Sequence, residues 1–273
     1  MTLAARNPAL VATGRVAGVD AEDLASRFGT PLFVYDLDAV SARVEALRSA
    51  LPTSFDLAFA VKANPLLAVL QHLRGLEVGA DVASGGELRH VLRAGFDPAR
   101  IILTGPGKRD EELAAAVIAG IRVVTVESRG ELRRLAAIAE AAGRVQPILL
   151  RLSAAADADA ERVRIIGDAG TGKFGMDEAD LRAAALDAVA SPWLEPWGVH
   201  AFGASNLLDA DVLAAHVTST VELARRVAAE AGFPLRLVDA GGGLGIPYRD
   251  DEPPLDLALL AGRLTAIAQG LAK

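Results

Sequence analysis

The chain has 273 residues, enough to bury a substantial core in one large domain or two small ones. Its net charge of −7 argues against nucleic acid as a partner, because phosphate contacts need clustered Lys and Arg. It contains no cysteine, which excludes disulfides, thiolate metal sites and a cysteine nucleophile within the chain. Because no apolar run approaches the roughly 18 residues of a membrane helix, and no signal-peptide pattern opens the chain, we expect a cytoplasmic protein without a membrane partner.

Residues 1–36 are predicted to form a lead-in before the main fold. A short helix is expected over Ala21–Phe28, with Gly29 in the usual helix-terminating position. Residues 31–36 have the apolar pattern of a short strand, and helical periodicity follows over residues 37–51.

A strand–helix unit recurs over residues 37–273, which we predict to be one α/β domain. The predicted strands start near Phe55, Leu76, Arg100, Ile121, Pro147, Pro196 and Leu235. Helices rich in alanine and leucine are predicted near residues 65–74, 85–94, 110–119, 129–142, 178–190, 209–231 and 255–269. The first five strand starts are 21 to 26 residues apart, which favours right-handed βαβ crossovers and a parallel sheet. Seven units are one short of a (β/α)8 barrel, so the predicted fold is an incomplete TIM-type α/β barrel.

Two segments lack regular periodicity. Residues 153–176 mix small residues, charges and glycines, and we expect a mobile loop over the strand ends. Residues 246–256 are acidic and rich in proline, and we expect a loop before the last helix.

Lys62 stands at the end of the first of these strands. Leu57, Phe59 and Val61 alternate with small residues before it, and an Asn-Pro step after it stops the strand. An amine at the end of an apolar strand loses solvation, which favours the neutral form that attacks carbonyl groups. The alternative is a lysine that extends from the strand end into water.

Polar or glycine-rich residues follow all seven predicted strands. In a parallel barrel the side chains that carry chemistry lie at these carboxyl ends. They are Lys62, Asp81 with Ser84, the segment from Gly105 to Lys108, Glu127, Arg151, His200 with Phe202 and Ser205, and Asp239 with Gly241, Gly242 and Gly243.

The three consecutive glycines have two interpretations. A strand that turns without side chains leaves backbone N–H groups free to surround an anion, and we favour such a site. The alternative is a tight turn that needs positive φ angles.

Several motifs resemble those of a known family. They are Ala-Val-Lys62-Ala-Asn-Pro, Asp81-Val-Ala-Ser-Gly-Gly-Glu-Leu, Ile-Leu-Thr-Gly-Pro-Gly-Lys108, Val-Glu127-Ser, Gly172-Lys-Phe-Gly and Asp239-Ala-Gly-Gly-Gly-Leu-Gly-Ile-Pro-Tyr. Together they resemble the fold-type III, pyridoxal-phosphate-dependent amino-acid decarboxylases, which include the diaminopimelate and ornithine decarboxylases. The resemblance runs from about residue 28 to the end of the chain, with the motifs in the family's order.

This resemblance implies an alanine-racemase-like barrel with a separate β domain, an amino-acid substrate and a head-to-tail homodimer. It implies pyridoxal 5′-phosphate as cofactor, held by Lys62 as a Schiff base (an imine). Asp81 resembles the aspartate beside that lysine, and Arg151 resembles the arginine at the end of the fifth strand. Ser205 and the glycines 241–243 correspond to the residues that bind the cofactor phosphate.

The chain departs from the family pattern after its sixth predicted strand. The decarboxylases usually have His-x-His-x-Gly-Ser, whereas this chain has His200-Ala-Phe202-Gly-Ala-Ser205. Phe202 can stack on the cofactor ring but cannot titrate or donate a hydrogen bond. The His-x-Phe pattern resembles a branch of the family from secondary-metabolite and polysaccharide gene clusters, some of which act on carrier-tethered aminoacyl groups. Alternatively, Phe202 is an ordinary core residue and His200 a satisfied interior histidine.

The second departure is length, because the family continues into an eighth strand and a β domain that bear further catalytic residues. We therefore expect either a piece of a longer decarboxylase or a shortened relative that binds the cofactor with little or no turnover. A racemase is a third interpretation, but it needs an opposing acid or base, and neither Tyr35 nor Tyr248 lies where that role is expected.

Overall fold

The computed structural model describes residues 14–153, 174–203 and 205–271. Most of the loop predicted over residues 153–176 therefore lies outside the described residues, as do the first two residues of its Gly-Lys-Phe-Gly motif. Residues 246–256 contain no helix or strand, as predicted. The division of the chain at residue 36 stays a prediction.

The lead-in differs from its prediction in two ways. Its described part begins with a short hairpin that was not predicted, in which β1 (Arg15–Val16) pairs antiparallel with β2 (Val19–Asp20). Helix α1 (Ala21–Phe28) has the predicted bounds, because Asp20 caps its first turn and Gly29 ends it at φ 79°. The strand predicted over residues 31–36 is wrong, since this segment joins no sheet among the described residues. Helix α2 (Leu37–Ala50) follows.

Seven parallel strands of the described residues form one sheet, in which neighbours in the chain are also neighbours in space. The strands are β3 (Ala58–Ala60), β4 (Gly79–Val82), β5 (Ile101–Leu103), β6 (Val123–Val126), β7 (Gln146–Leu152), β8 (Leu194–Ala201) and β9 (Leu237–Asp239). The helices that follow them are α3 (Leu67–Gly75), α4 (Gly85–Arg93), α5 (Asp110–Ala119), α6 (Arg129–Ala142), α7 (Glu178–Ala190), α8 (Ala210–Ala231) and α9 (Leu257–Leu271). The predicted incomplete α/β barrel of seven strand–helix units is thereby confirmed.

The sheet is curled, and its five central strands, β4 to β8, are largely buried, which is why they are mostly apolar. Its outer face packs against the helices through residues such as Leu103, Val124 and Leu150. Alternate residues point to the inner face, where Ile102, Val123 and Leu149 form a separate cluster with Trp197 and Leu237. Polar residues that continue this inner face toward the carboxyl ends of the strands are therefore collected at one mouth.

Serine caps end two of the strand–helix turns at this mouth. The Ser84 hydroxyl accepts a hydrogen bond from the Glu87 N–H (3.2 Å), and the Ser128 hydroxyl accepts one from the Glu131 N–H (3.1 Å). These hydroxyls satisfy the first turns of α4 and α6. Among the described residues, no helix is both long and apolar enough to cross a bilayer.

Candidate active site

The ends of β7, β8 and β9 align three polar side chains. Arg151 pairs in register with His200, and His200 with Asp239. A bulge between Ile148 and Leu149 shifts the register by one residue. Without it, Arg151 would pair with the apolar Val199. Because aligned residues of parallel strands point to the same face, Arg151, His200 and Asp239 lie side by side at the mouth.

The curl of the sheet brings distant strands into contact across the mouth. Asp81 on β4 interacts electrostatically with Asp239 on β9, although four strands separate these two in the sheet. Lys62, after β3, reaches Phe202, after β8, with Nζ 5.7 Å from the centroid of the ring. The structure therefore gathers Lys62, Asp81, Arg151, His200 and Phe202 at one site.

Lys62 differs from its prediction in environment. It lies on a 3₁₀ turn, Val61–Ala63, directly after β3 rather than on the strand, and the residue is exposed. The expected loss of solvation is therefore wrong. The physical reason is that β3 is an edge strand, which pairs only with β4 among the described residues. The amine is nevertheless directed toward the mouth, as its contact with Phe202 shows.

Asp81 is half-buried beside Lys62 and carries the most perturbed carboxyl group of the site. Burial raises the pKa of Asp81 from 3.8 to about 7, and the negative charge of Asp239 adds to the rise. The hydroxyl of Thr104 donates a hydrogen bond of 2.8 Å to Asp81 Oδ1, and this bond lowers the pKa of Asp81. The positive charges of Lys62 and Arg151 lower it as well. Asp81 can therefore exchange a proton near neutral pH.

Arg151 is held in place by a buried carboxylate. Its Nη1 lies 2.7 Å from Glu127 Oε1, with the two side chains 12% and 3% exposed. The other carboxylate oxygen of Glu127 accepts a hydrogen bond from the Gly175 N–H (3.1 Å), and the Arg151 guanidinium lies 5.0 Å from the centroid of the Phe174 ring. Arg151 is thus a fixed positive charge in the wall of the mouth.

His200 is 5% exposed and its Nδ1 has no hydrogen-bond partner among the described residues. Burial lowers the pKa of His200 below 6.5, although the negative charge of Asp239 opposes this effect. The imidazole is therefore neutral at pH 7, and its Nδ1 is a buried ring nitrogen without a hydrogen-bond partner among the described residues. A buried ring nitrogen without a partner does not fit the alternative of a satisfied interior histidine.

Two loops carry the remaining predicted residues: the serine loop (residues 202–205, of which 204 is not described) and the glycine loop (residues 240–243). The Leu207 N–H donates to the Gly243 carbonyl (2.8 Å), and this bond joins the segments that bear the two loops. Ser205 is half-buried next to this junction. The predicted serine and glycines thus lie on loops that are tied together.

The glycine loop has both properties that the sequence left as alternatives. Gly241 and Gly243 have φ angles of 70° and 84°, which favour glycine in a tight turn. The Gly241 N–H donates to Asp239 Oδ1 (2.8 Å), so this amide is not free for an anion. The amides of Gly242 and Gly243 have no partner among the described residues, and a Cβ on Gly242 would find no atom within 4 Å. Two amides therefore remain available to an anion.

The residues present fit pyridoxal phosphate, which needs an amine for its aldehyde, a flat surface for its ring and donors for its phosphate. Phe202 contacts both Lys62 and the glycine loop, since a Cβ on Gly241 would lie 2.6 Å from Phe202 Cδ2. The amine and the available amides are therefore on the same side of the mouth. The sequence analysis gave no individual role to Thr104 or Glu127, although both stand at predicted strand ends.

Comparisons with known proteins identify the family of this chain. Residues 37–273 match the family described as "Pyridoxal-dependent decarboxylase, pyridoxal binding domain". The chain is 35% identical over 258 residues to the diaminopimelate decarboxylase of Methanothermobacter thermautotrophicus, covering 92% of this chain and 58% of the relative. It is 38% identical over 244 residues to the diaminopimelate decarboxylase of Pseudomonas aeruginosa, covering 87% of this chain and 57% of that relative.

Solved structures give the same result. The diaminopimelate decarboxylase of Helicobacter pylori complexed with L-lysine has a TM-score of 0.84 and 32% identity, covering 92% of this chain and 64% of that one. The chain spans less than two thirds of the length of these relatives. The family predicted from the motifs is confirmed, and with it a cofactor of the pyridoxal type. This chain belongs to the pyridoxal-binding-domain family of the pyridoxal-dependent decarboxylases.

Proposed function

We propose that the protein decarboxylates an amino acid with pyridoxal 5′-phosphate as its cofactor. The observation that carries this proposal is the position of Phe202, which contacts the amine of Lys62 on one side and the backbone of Gly241 on another. A cofactor with an aldehyde at one end and a phosphate at the other can engage both groups at once. The identity of about 35% with several diaminopimelate decarboxylases supports the same activity.

Each residue at the mouth has a role in this proposal. Lys62 binds the cofactor covalently through its amine, and Ser205 with the amides of Gly242 and Gly243 binds the phosphate. When bound, the cofactor supplies the conjugated ring that accepts the electron pair left as CO₂ departs. Phe202 provides an apolar surface for a flat ring but no proton.

Three further side chains surround the reacting groups. Asp81 lies within electrostatic reach of Lys62, and its pKa of about 7 lets it act as either acid or base at the mouth. His200 lines the mouth between Arg151 and Asp239 as a neutral imidazole. Arg151, held by Glu127, provides the positive charge that a carboxylate requires.

The proposed substrate is an amino acid of the diaminopimelate class, either free or tethered to a carrier protein. The relatives support the free amino acid. The phenylalanine at position 202, in place of the usual histidine, supports a tethered one. We also propose a homodimer, as the family resemblance implies.

The Lys62→Ala variant tests the covalent role. Mixed with pyridoxal phosphate, the protein should develop the visible absorption band of an imine, and borohydride reduction should fix the cofactor on the peptide that contains Lys62. We expect Lys62→Ala to abolish both signals. Lys62→Arg is the matched control, because it keeps the positive charge but also cannot form the band. An unchanged band in either variant would remove Lys62 from this role.

One observation favours a second candidate, a pyridoxal-phosphate-binding protein without turnover. Lys62 is exposed, and water at the mouth weakens the electrostatic stabilisation on which decarboxylation depends. Release of CO₂ from diaminopimelate, lysine, ornithine and arginine separates the two candidates. An imine band on Lys62 without CO₂ from any substrate would favour the second one.

A further inference from the structure

His216 lies on helix α8, outside every motif that carries the family resemblance. Its Nε2 is 3.0 Å from the carbonyl oxygen of Ala240, at the start of the glycine loop. Since a carbonyl oxygen only accepts, Nε2 carries the proton and donates it to this bond. The imidazole therefore ties the glycine loop to α8.

The same ring packs directly against the serine loop. A Cβ placed on Gly203 would lie 2.8 Å from Nδ1 and 3.0 Å from Cε1 of His216. Only glycine fits at position 203 while the ring keeps its place. One half-buried imidazole thus contacts both loops that carry the proposed phosphate-binding groups.

Helix α8 gives this contact a rigid base. It is 22 residues long and buries a row of apolar side chains, including Leu213 and Ala224. Asp209 caps its first turn by accepting hydrogen bonds from the Asp211 and Val212 N–H groups. A side chain on such a helix can hold two neighbouring loops at a constant separation.

We propose that His216 is a positioning residue that sets the spacing between Ser205 and the glycine loop, and so determines how tightly the site binds a phosphate group. This inference rests on the proposed function, since it assumes that these loops bind the cofactor phosphate. It requires a donor as well as a ring, because an apolar ring would fill the space and leave the Ala240 carbonyl without its partner.

Two ligands that differ only in the phosphate provide the test. Pyridoxal phosphate and pyridoxal share the aldehyde that reacts with Lys62, but only the first engages the two loops. We expect His216→Phe to weaken the binding of pyridoxal phosphate about 3- to 10-fold, the effect of one hydrogen bond, and to leave the binding of pyridoxal unchanged. The affinity for inorganic phosphate, measured by titrating phosphate into the apo-protein and following ³¹P NMR, should fall by a similar factor. His216→Gln keeps a donor and should restore most of the affinity.

Two further variants keep the test decisive. Gly203→Ala displaces the imidazole from the other side and should produce the same selective loss, which matters if His216→Phe fails to fold. His72→Phe is the matched control, since His72 is also half-buried and hydrogen-bonded, to Ser41 at 2.8 Å, but touches neither loop. It should leave both affinities unchanged.

Three outcomes would overturn the inference. They are an equal loss of affinity for both ligands in His216→Phe, no loss for either, or a loss in His216→Phe that His216→Gln does not restore. If the unaltered protein binds neither pyridoxal phosphate nor inorganic phosphate, the proposed function fails as well. If the unaltered protein binds pyridoxal phosphate and inorganic phosphate, but the variants keep its ratio of affinities for pyridoxal phosphate and pyridoxal, only the role of His216 is refuted and the proposed function stands.

Discussion

The ion pair between Lys108 and Glu131 is the most completely buried one described, and its energetics can be tested. Lys108 Nζ lies 2.8 Å from Glu131 Oε1, with side chains 1% and 3% exposed. Lys108 also donates to the Gly105 carbonyl, and Glu131 Oε2 accepts from the Glu127 N–H at 3.3 Å. Each charge has therefore lost its water and depends on these partners.

Replacing one partner should be much more costly than replacing both. At 2.8 Å the attraction is about 6 kcal/mol with an effective dielectric constant of 20, and it offsets a desolvation cost of similar size. We expect Lys108→Met to lower the free energy of unfolding by about 3–5 kcal/mol, because a carboxylate is left buried without its partner. The double variant Lys108→Met/Glu131→Leu should stay within about 2 kcal/mol of the unaltered protein.

The loss in Lys108→Met should depend on pH in a defined direction. Burial raises the pKa of Glu131, and the charge of Lys108 opposes the rise, so the variant raises this pKa further. Above the unfolded-state pKa, the native state then binds more protons than the unfolded chain. Stability therefore falls as pH rises toward the folded-state pKa, by up to about 1.4 kcal/mol per pH unit, and returns on acidification.

Urea unfolding at pH 5.5 and pH 7.5, followed by tryptophan fluorescence and circular dichroism, measures these differences. Arg263→Met is the control, since Arg263 and Asp211 form an equally short pair of 2.7 Å that is 55% and 59% exposed. Its loss should be below about 1 kcal/mol. A loss below 1 kcal/mol for Lys108→Met, or a double variant as unstable as the single one, would refute the reasoning.

Two further predictions concern the mouth of the barrel. Gly241→Ala places a Cβ 2.6 Å from Phe202 Cδ2 at a φ of 70°, and should cost about 1–3 kcal/mol of stability. Gly242→Ala meets no atom within 4 Å and should change stability by less than about 0.5 kcal/mol; equal losses in urea unfolding would contradict this contrast. Asp81 has a folded pKa of about 7 instead of 3.8, so ionising it beside Asp239 costs stability progressively as the pH rises from 3.8 to about 7, and the full cost is present above that pH. Asp81→Asn should therefore stabilise the apo-protein by about 1–3 kcal/mol more at pH 8 than at pH 5 in thermal or urea unfolding, and an equal effect at both values would contradict it.

Local patterns were sufficient for the architecture. The recurrence of apolar strands and alanine-rich helices predicted the seven units and their parallel order, because each crossover involves residues close in the chain. Helix α1 (Ala21–Phe28) could be placed to the residue, since its cap and its terminating glycine are both adjacent to it. The motifs at the strand ends also predicted the family, because they are short and contiguous.

Strand pairing and side-chain burial depend on contacts between residues far apart in the chain, so local sequence patterns could not predict them. Residues 31–36 have a strand pattern but no partner strand among the described residues, and Lys62 is exposed because the neighbouring β3 is an edge strand. The bulge that aligns Arg151 with His200 exists only in the ladder between two strands. These features left no signal in the local sequence.

The sequence alone therefore established the type of fold, the family and the set of polar residues at the mouth. The tertiary structure decided their protonation, exposure and mutual contacts, as in the raised pKa of Asp81 opposite Asp239 and the packing of His216 on Gly203. The physical reason is that electrostatic and packing energies are set by distances in space, which the curl of the sheet determines.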